Sequence, residues 1–187
     1  KRAEDVIPDI DRVDFEKRGK TKPIKMPLHC PACNSRLKKI SNQTIFKCEN
    51  LRNCKPQIIQ SIQHFASRKA MNISGLGEGI IELLIDNNIL KNYSDIYYIQ
   101  FERVKKLERM GELSSSNLHQ SIEKSKNTTL DHLIYALGIK EVGHTTAKIL
   151  SKNYTSIEEL AKSNFESLEN IKDIGPIVAK NIIDFFK

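Results

Sequence analysis

Four cysteines, the entire cysteine content of this 187-residue chain, lie close together at Cys30, Cys33, Cys48 and Cys54. Two thiolates two residues apart lie on one tight turn and can bind the same tetrahedral ion. The 14 residues between the two pairs suffice for a short hairpin that returns the second pair. The pattern favours a structural zinc site, in which four thiolates leave no open position for a catalytic water. Disulfides or uncoordinated thiols are the alternatives, and the lack of a signal-like apolar run disfavours disulfides.

Basic residues surround the cysteines. Residues 1–60 contain 14 Lys and Arg against 7 Asp and Glu, whereas residues 61–187 contain 16 of each class. A basic balance favours a polyanionic partner such as nucleic acid, although a solvated basic surface explains it equally well. If residues 61–187 also bind DNA, they must do so by local geometry rather than by net charge.

A repeat runs through the rest of the chain. The segments ISGLGEGIIELL, LERMGELSSSNL, IKEVGHTTAKIL and IKDIGPIVAKNI align on Gly77, Gly111, Gly143 and Gly175, which are 34, 32 and 32 residues apart. An apolar residue directly precedes each glycine, and aliphatic residues lie four before and seven after it. Four residues after the glycine, three copies have a small residue and the first has Ile81. A fixed period of this kind indicates an internal repeat.

Each repeat predicts two short helices joined by a tight loop, a helix–hairpin–helix. TLDHLIYALGI has the apolar spacing of a helix that ends near Gly138, and HTTAKILSKNY follows the turn KEVG. We expect the shared glycine to adopt a positive φ and to leave room for a close neighbour. We expect the small residue to let the two helices pack closely. The alternative is a plain helical repeat whose glycines serve packing alone.

The hairpin loops could bind DNA without basic side chains, because N–H groups at a helix N-terminus favour phosphate. Such contacts would ignore base identity. The residue two positions before the shared glycine differs between copies. It is Gly75 in the first copy and Arg109, Glu141 and Asp173 in the other three. Carboxylates oppose phosphate. The Gly75–Gly77 and Arg109–Gly111 loops therefore rank first as DNA contacts, and the loops ending in Gly143 and Gly175 rank lower.

The remaining segments carry no catalytic motif. DVIPDIDRV alternates like a strand with Pro8 at an edge or bend, and a basic connector follows. One strand is not a domain, so we expect it to be the end of a larger one. In the run QIIQSIQHFASRKAMNI we predict a helix whose buried face contains Ile58, Ile62 and Phe65. The five histidines stand alone in the sequence, with His29 as a spare metal ligand at best.

The order of these pieces closely resembles bacterial NAD-dependent DNA ligases. The likeness rests on the cysteine spacing and on HFASRKAMNISGLG, LERMG, LGIKEVG and DIGPIVA, and it covers almost the whole chain. DVIP resembles the last strand of that family's OB-fold domain. The chain departs from the family in two places: Asn34 replaces a common Gly, and Ser114–Ser115 replaces Ser-Ala. We expect Ser115 to loosen the packing of the second hairpin.

The resemblance implies a mainly α fold, with the end of an OB-fold and a connector at 1–26, a four-cysteine zinc finger at 27–56 and four helix–hairpin–helix repeats at 57–187. It implies that Cys30, Cys33, Cys48 and Cys54 bind structural Zn²⁺. It further implies that the four hairpins, with Gly75, Gly77, Arg109, Gly111, Gly143 and Gly175, grip the minor-groove side of nicked double-stranded DNA.

By the same resemblance the chain is the C-terminal portion of a cytoplasmic, nucleoid-associated enzyme that seals nicks in DNA replication and repair. That enzyme uses NAD⁺ and Mg²⁺ through domains not present here, since the family's Lys-x-Asp-Gly nucleotidyltransferase motif is missing, and so is its BRCT domain. We therefore expect a monomeric, membrane-independent DNA-binding segment with no catalysis of its own. The alternatives are a self-standing repair or recombination module and a helix–hairpin–helix glycosylase, for which no convincing catalytic Lys or Asp follows a hairpin.

Overall fold

The computed structural model describes residues 12–39 and 45–187, together with the backbone of residues 2–3 and 7–8. The chain divides into two compact units, Lys1–Glu49 and Asn50–Lys187. Most of the regular structure is helical, which confirms the prediction of a mainly α protein. Within the described residues, no helix is both long and apolar enough to cross a membrane.

Two short antiparallel strand pairs form the regular structure described in the first unit. Strand β1 (Arg2–Ala3) pairs with β2 (Ile7–Pro8). Strand β3 (Lys38–Lys39) pairs with β4 (Phe46–Lys47). The second pair is the hairpin expected between the two cysteine pairs, and its tip at residues 40–44 lies outside the described residues.

The connector between these strand pairs is irregular, as its Pro, Gly and Lys content predicts. Residues 12–27 contain no helix or strand, and each of them is exposed. The strand predicted over residues 5–13 falls largely outside the described residues, apart from β2 and residues 12–13. Its assignment to an OB-fold remains a prediction.

The second unit consists of short helices. They are α1 (Lys55–Ala66), α2 (Glu78–Asp86), a 3-10 helix (Tyr93–Tyr98), α3 (Phe101–Val104), α4 (Glu112–Ser125), α5 (Leu130–Ala136), α6 (His144–Asn153), α7 (Ile157–Ala161), α8 (Phe165–Glu169) and α9 (Pro176–Phe186). Helix α1 packs on α2, α3 on α4, α5 on α6 and α8 on α9. One helix pair thus accompanies each shared glycine, with the 3-10 helix and α7 lying between pairs.

The helices enclose two apolar cores. The first core contains Ile62, Leu84 and Leu118 and is built mainly by the first two helix pairs. The second contains Leu150 and Ile182 and is built by the last two pairs with α7. Of the residues that the structure describes, none before Ile59 is a buried member of either core, and Ile58 packs against the first. The helical unit therefore carries its own hydrophobic stabilisation.

The aligned apolar and small positions of the repeat are buried in these cores. The residues directly before the four glycines and seven after them are all at most 6% exposed. The position four after the glycine is fully buried in every copy, with 0% exposure at Ile81, Ser115, Ala147 and Ala179. The small residues thus lie where the paired helices pack, as predicted. The hydroxyl of Ser115 has no hydrogen-bond partner there.

The buried face of α1 differs slightly from the prediction. Ile62 and Phe65 are buried, but Ile59 is buried beside them and Ile58 is only half-buried. Positions three and four before a buried helical residue flank the same face. Ile59 lies three residues before Ile62 and Ile58 lies four before it. The packing of α1 against α2 and α5 buries Ile59 more than Ile58.

Candidate metal centre and nucleic-acid interface

The four cysteine sulfurs form one group. All four Sγ atoms lie within 4.8 Å of one another, and 3.6 Å separates the Sγ atoms of Cys33 and Cys48. No disulfide joins any of the four, and only Cys33 is more than slightly exposed. Bonds of about 2.3 Å to a tetrahedral ion place sulfurs about 3.8 Å apart. The residues therefore fit a metal ion.

Backbone hydrogen bonds shape the turn of the first cysteine pair. The Cys30 N–H donates to the Ser35 carbonyl and the Asn34 N–H donates to the Cys30 carbonyl, both at 2.8 Å. Asn34 has a φ of 56°, a left-handed conformation in which Asn is several-fold enriched. Asn34 thus takes the conformation for which the resemblance expects glycine, and the departure leaves the turn intact.

The turn also favours the thiolate form of one cysteine. Hydrogen bonds from the side chain and the backbone of Ser35 lower the pKa of the Cys33 thiol to about 6. The thiolate is the form that binds metal ions. Lys38 on β3 pairs with Glu49 near this group. The chemistry of the donor set is that of a closed four-thiolate metal site.

The shared glycines are the N-caps of the second helices, and their conformation corrects one prediction. Gly77, Gly111, Gly143 and Gly175 have φ between −85° and −75° and are extended, not left-handed. The left-handed residue lies two positions earlier. It is Gly75 (φ 85°), Arg109 (68°), Glu141 (62°) and Asp173 (68°). An N-cap residue must be extended for the chain to enter the helix, so the reversal falls before it.

Packing inside the chain does not explain these glycines. Beyond the adjoining residues, no heavy atom of the described chain lies within 4 Å of the place where a Cβ on any of the four would stand. Extended φ and ψ values are open to every residue type. What the missing side chain does leave is an unobstructed approach to the helix N-terminus from solvent.

The N–H groups at these helix starts are uncapped. Among the other helices, Asn92, Ser156 and Asn164 cap the 3-10 helix, α7 and α8 with their own side chains, whereas the starts of α1, α3 and α5 also lack a side-chain cap. Among the described residues no side chain caps the helices that begin after the four glycines. The first N–H groups of an α-helix have no partner within it and attract anions. Four bare N-termini are thus repeated at one position of the repeat.

The first two hairpins share a cleft. A hollow of about 390 Å³ is lined by Gly77, Gly79, Glu108 and Arg109, among others. Carboxylates of α2 also line it, and Lys55 neutralises them in part through ion pairs with Glu82 and Asp86 of 2.9 Å and 2.8 Å. The two loops ranked first as DNA contacts therefore lie side by side, in mixed charge.

The last two hairpins carry matched lysines that the sequence ranking did not consider. Lys140 and Lys172 lie three residues before the shared glycine, and Lys148 and Lys180 lie five after it. All four are exposed. They place two positive charges near each loop that carries a single carboxylate.

Two exposed apolar side chains were also missed. Leu113 and Ile177 lie two residues after the shared glycines of the second and fourth hairpins and are 75% and 70% exposed. An apolar residue in the first turn of a helix predicts burial by default, so only its fixed offset from the glycine distinguishes it. Both side chains flank a bare N-terminus.

The histidines do not all stand alone, which corrects a second prediction. One ring nitrogen each of His132 and His144 lies with a carboxylate oxygen of Asp131 in a group no more than 4.8 Å across. His64 Nε2 lies 2.7 Å from the Tyr135 carbonyl oxygen. The α5–α6 pair brings together His132 and His144, which lie 12 residues apart in the sequence.

A family model described as a helix–hairpin–helix motif matches residues 132–187, which are the third and fourth repeats. Residues 132–187 are accordingly a helix–hairpin–helix structure of the kind that this motif describes.

At the level of whole proteins, the chain is similar to DNA ligases. It is 43% identical over 188 residues to the DNA ligase of Nitrosococcus oceani, 43% over 187 residues to that of Coxiella burnetii strain CbuK_Q154, and 40% over 187 residues to that of Legionella pneumophila strain Corby. Each comparison covers 100% of this chain and 28% of the relative. The resemblance to DNA ligases predicted from the motifs is confirmed, for a segment that spans less than a third of those enzymes.

Proposed function

We propose that this chain is the DNA-binding, C-terminal portion of a bacterial NAD-dependent DNA ligase. It grips nicked double-stranded DNA through sequence-independent contacts to the sugar–phosphate backbone. Catalysis takes place in domains of the parent enzyme that lie outside this chain.

The observation that carries this proposal is the set of four uncapped helix N-termini. Each begins at a glycine whose missing Cβ clears the approach from solvent. A phosphate can then reach the backbone N–H groups that a side chain would otherwise shield. Leu113 and Ile177 stand beside two of these N-termini and offer apolar contact to the deoxyribose. Because phosphates carry no sequence information, the affinity does not depend on the base sequence of the DNA.

The metal supports this function structurally. Cys30, Cys33, Cys48 and Cys54 are the proposed ligands of one Zn²⁺ ion, which contributes folding free energy to a segment without an apolar core of its own. The basic residues around the cysteines then face the DNA backbone as a fixed group. This role needs no open coordination position.

The name of the relatives and the resemblance to their family are the grounds on which we propose the chemistry of the parent enzyme. It is nick sealing in replication and repair, in the cytoplasm, by a monomer that uses NAD⁺ as AMP donor and Mg²⁺. Incubating the parent-length protein with labelled NAD tests this separately. Covalent AMP on the protein supports a ligase. Its absence, with DNA binding retained, supports a self-standing repair module.

The hairpin proposal is tested by adding one methyl group to each loop. The substitutions Gly77→Ala, Gly111→Ala, Gly143→Ala and Gly175→Ala place a Cβ where no described atom interferes, so the fold should persist. The methyl group obstructs phosphate. We expect each variant to bind nicked duplex about 5- to 30-fold more weakly, the cost of a lost charge-assisted hydrogen bond of about 1 to 2 kcal/mol. Titration by fluorescence anisotropy measures this, with circular dichroism as the check on folding.

Gly19→Ala is the matched control, since Gly19 is equally open but lies in the connector. It should bind DNA like the unchanged chain. The sequence ranking further predicts larger losses at Gly77 and Gly111 than at Gly143 and Gly175. Four folded variants that all bind normally would refute amide-to-phosphate contact.

A further inference from the structure

We propose a second metal site, formed by Asp131, His132 and His144, that takes one divalent transition-metal ion such as Zn²⁺. It is separate from the four cysteines, and its ligands are inferred from side-chain geometry rather than from the proposed DNA binding. Two imidazoles and a carboxylate are a common donor set for such ions, and open positions on the ion are then filled by water.

The three side chains converge from two helices. Asp131 and His132 lie in the first turn of α5, and His144 is the first residue of α6, directly after the third shared glycine. One donor atom of each lies within 4.8 Å of the others. Zinc–nitrogen bonds of about 2.0–2.1 Å require donors about 3.3 Å apart. Small rotations of these half-exposed side chains close the difference.

The surroundings of His132 fix which nitrogen is available to a metal. Its Nδ1 lies 2.8 Å from the carbonyl oxygen of Ala70. A carbonyl only accepts, so Nδ1 carries the proton and donates, and Nε2 keeps its lone pair. Metal-binding histidines characteristically donate the second ring N–H to such an oxygen.

The other two ligands are likewise held. The Thr129 hydroxyl donates to Asp131 Oδ1 at 2.6 Å. The His144 ring stands nearly perpendicular to the rings of His132 and Tyr135, with centroids 6.1 Å and 5.9 Å away. Intermediate burial of all three ligands leaves a path for an ion to enter. A bound ion would clamp α5 to α6 beside the third hairpin.

The test is the zinc stoichiometry of the whole chain, measured by competition with a chromophoric chelator. We expect two ions per chain, one held tightly by the cysteines and one more weakly. His144→Asn should lose only the weaker ion. Asp131→Asn, which can still accept from Thr129, should weaken it by at least about tenfold. Cys48→Ser should lose only the tight ion, which distinguishes the two sites.

His119→Asn is the matched control, because His119 lies on α4 beside Glu123 and outside this cluster. It should retain both ions. Co²⁺ added to the chain that holds zinc only at the cysteines supplies a direct readout, since it should broaden the ring proton signals of His132 and His144 and spare those of His119. A single ion in the unchanged chain, or two ions in folded His144→Asn, would overturn the site.

Discussion

Backbone conformation at single residues separates two roles within each hairpin. The left-handed residue makes the reversal, and the extended glycine two positions later opens the helix N-terminus. Non-glycine residues hold the reversal in three copies at Arg109, Glu141 and Asp173. A left-handed conformation costs a non-glycine residue about 1–2 kcal/mol. The surrounding packed helices must supply that free energy.

The charge of the left-handed residue gives a prediction on DNA binding. Glu141→Gln removes a carboxylate from the third loop and keeps the length of the side chain. We expect DNA to bind about two- to fivefold more tightly, because a charge pair at about 4 Å in water is worth about 1 kcal/mol. Anisotropy titration at low salt measures the change. Glu158→Gln on α7 removes an exposed charge outside any hairpin loop and should have less effect. Equal effects would mean that only net charge matters.

A buried hydroxyl gives a prediction on stability. Ser115 is fully buried in the second hairpin, and its Oγ has no hydrogen-bond partner. Ser115→Ala should raise the free energy of unfolding by about 1–2 kcal/mol, since it removes an unsatisfied polar group and improves helix propensity. Urea denaturation measures the change. The reverse substitutions Ala147→Ser and Ala179→Ser, at the equivalent positions, should destabilise the chain. A loss of stability in Ser115→Ala would contradict this account.

At the scale of elements, the cysteine segment and the helices depend on different forces. No described residue of the cysteine segment belongs to either apolar core, whereas α1 to α9 enclose both. Metal binding supplies folding free energy to small segments of this kind. The helices should therefore stay folded when the metal ion is removed.

Replacing one ligand tests that dependence. Cys48→Ser should release zinc and unfold residues 30–54, while the helical circular dichroism of residues 55–187 persists. Atomic absorption measures the tightly bound zinc. His29→Asn is the control, because His29 lies next to Cys30 but outside the cysteine group, and it should keep that zinc. Retention of the tight, stoichiometric ion by the Cys48→Ser variant would refute the assignment.

For the whole molecule, charge and geometry contribute to binding in different regions. The surplus of positive charge lies in residues 1–60, and the helical repeats are net neutral. Each phosphate that a Lys or Arg side chain neutralises releases counterions, with a slope of about −0.9 per neutralised phosphate in a plot of log K against log salt. We expect such a linear decrease for nicked duplex, and the same affinity for unrelated sequences. Strong preference for one sequence would contradict backbone contact.

The sequence predicted the repeating parts better than the particular contacts. Recurring aliphatic and small positions located the helix pairs, because burial imposes the same pattern on every copy. Periodicity could not assign the positive φ to Gly75 rather than Gly77, since both are glycine. It could not bring His132 and His144 together, because that needs the crossing of α5 and α6. Leu113 and Ile177 were missed because apolar residues are expected inside.

The left-handed corners offer a practical handle for protein engineering. Arg109, Glu141 and Asp173 occupy the same backbone geometry with opposite charges, and all three side chains are exposed. The corner thus accepts side chains of either sign without a change in the path of the chain. Exchanging the charges at these three positions should therefore give a series of variants whose affinity for DNA changes stepwise while the backbone stays the same.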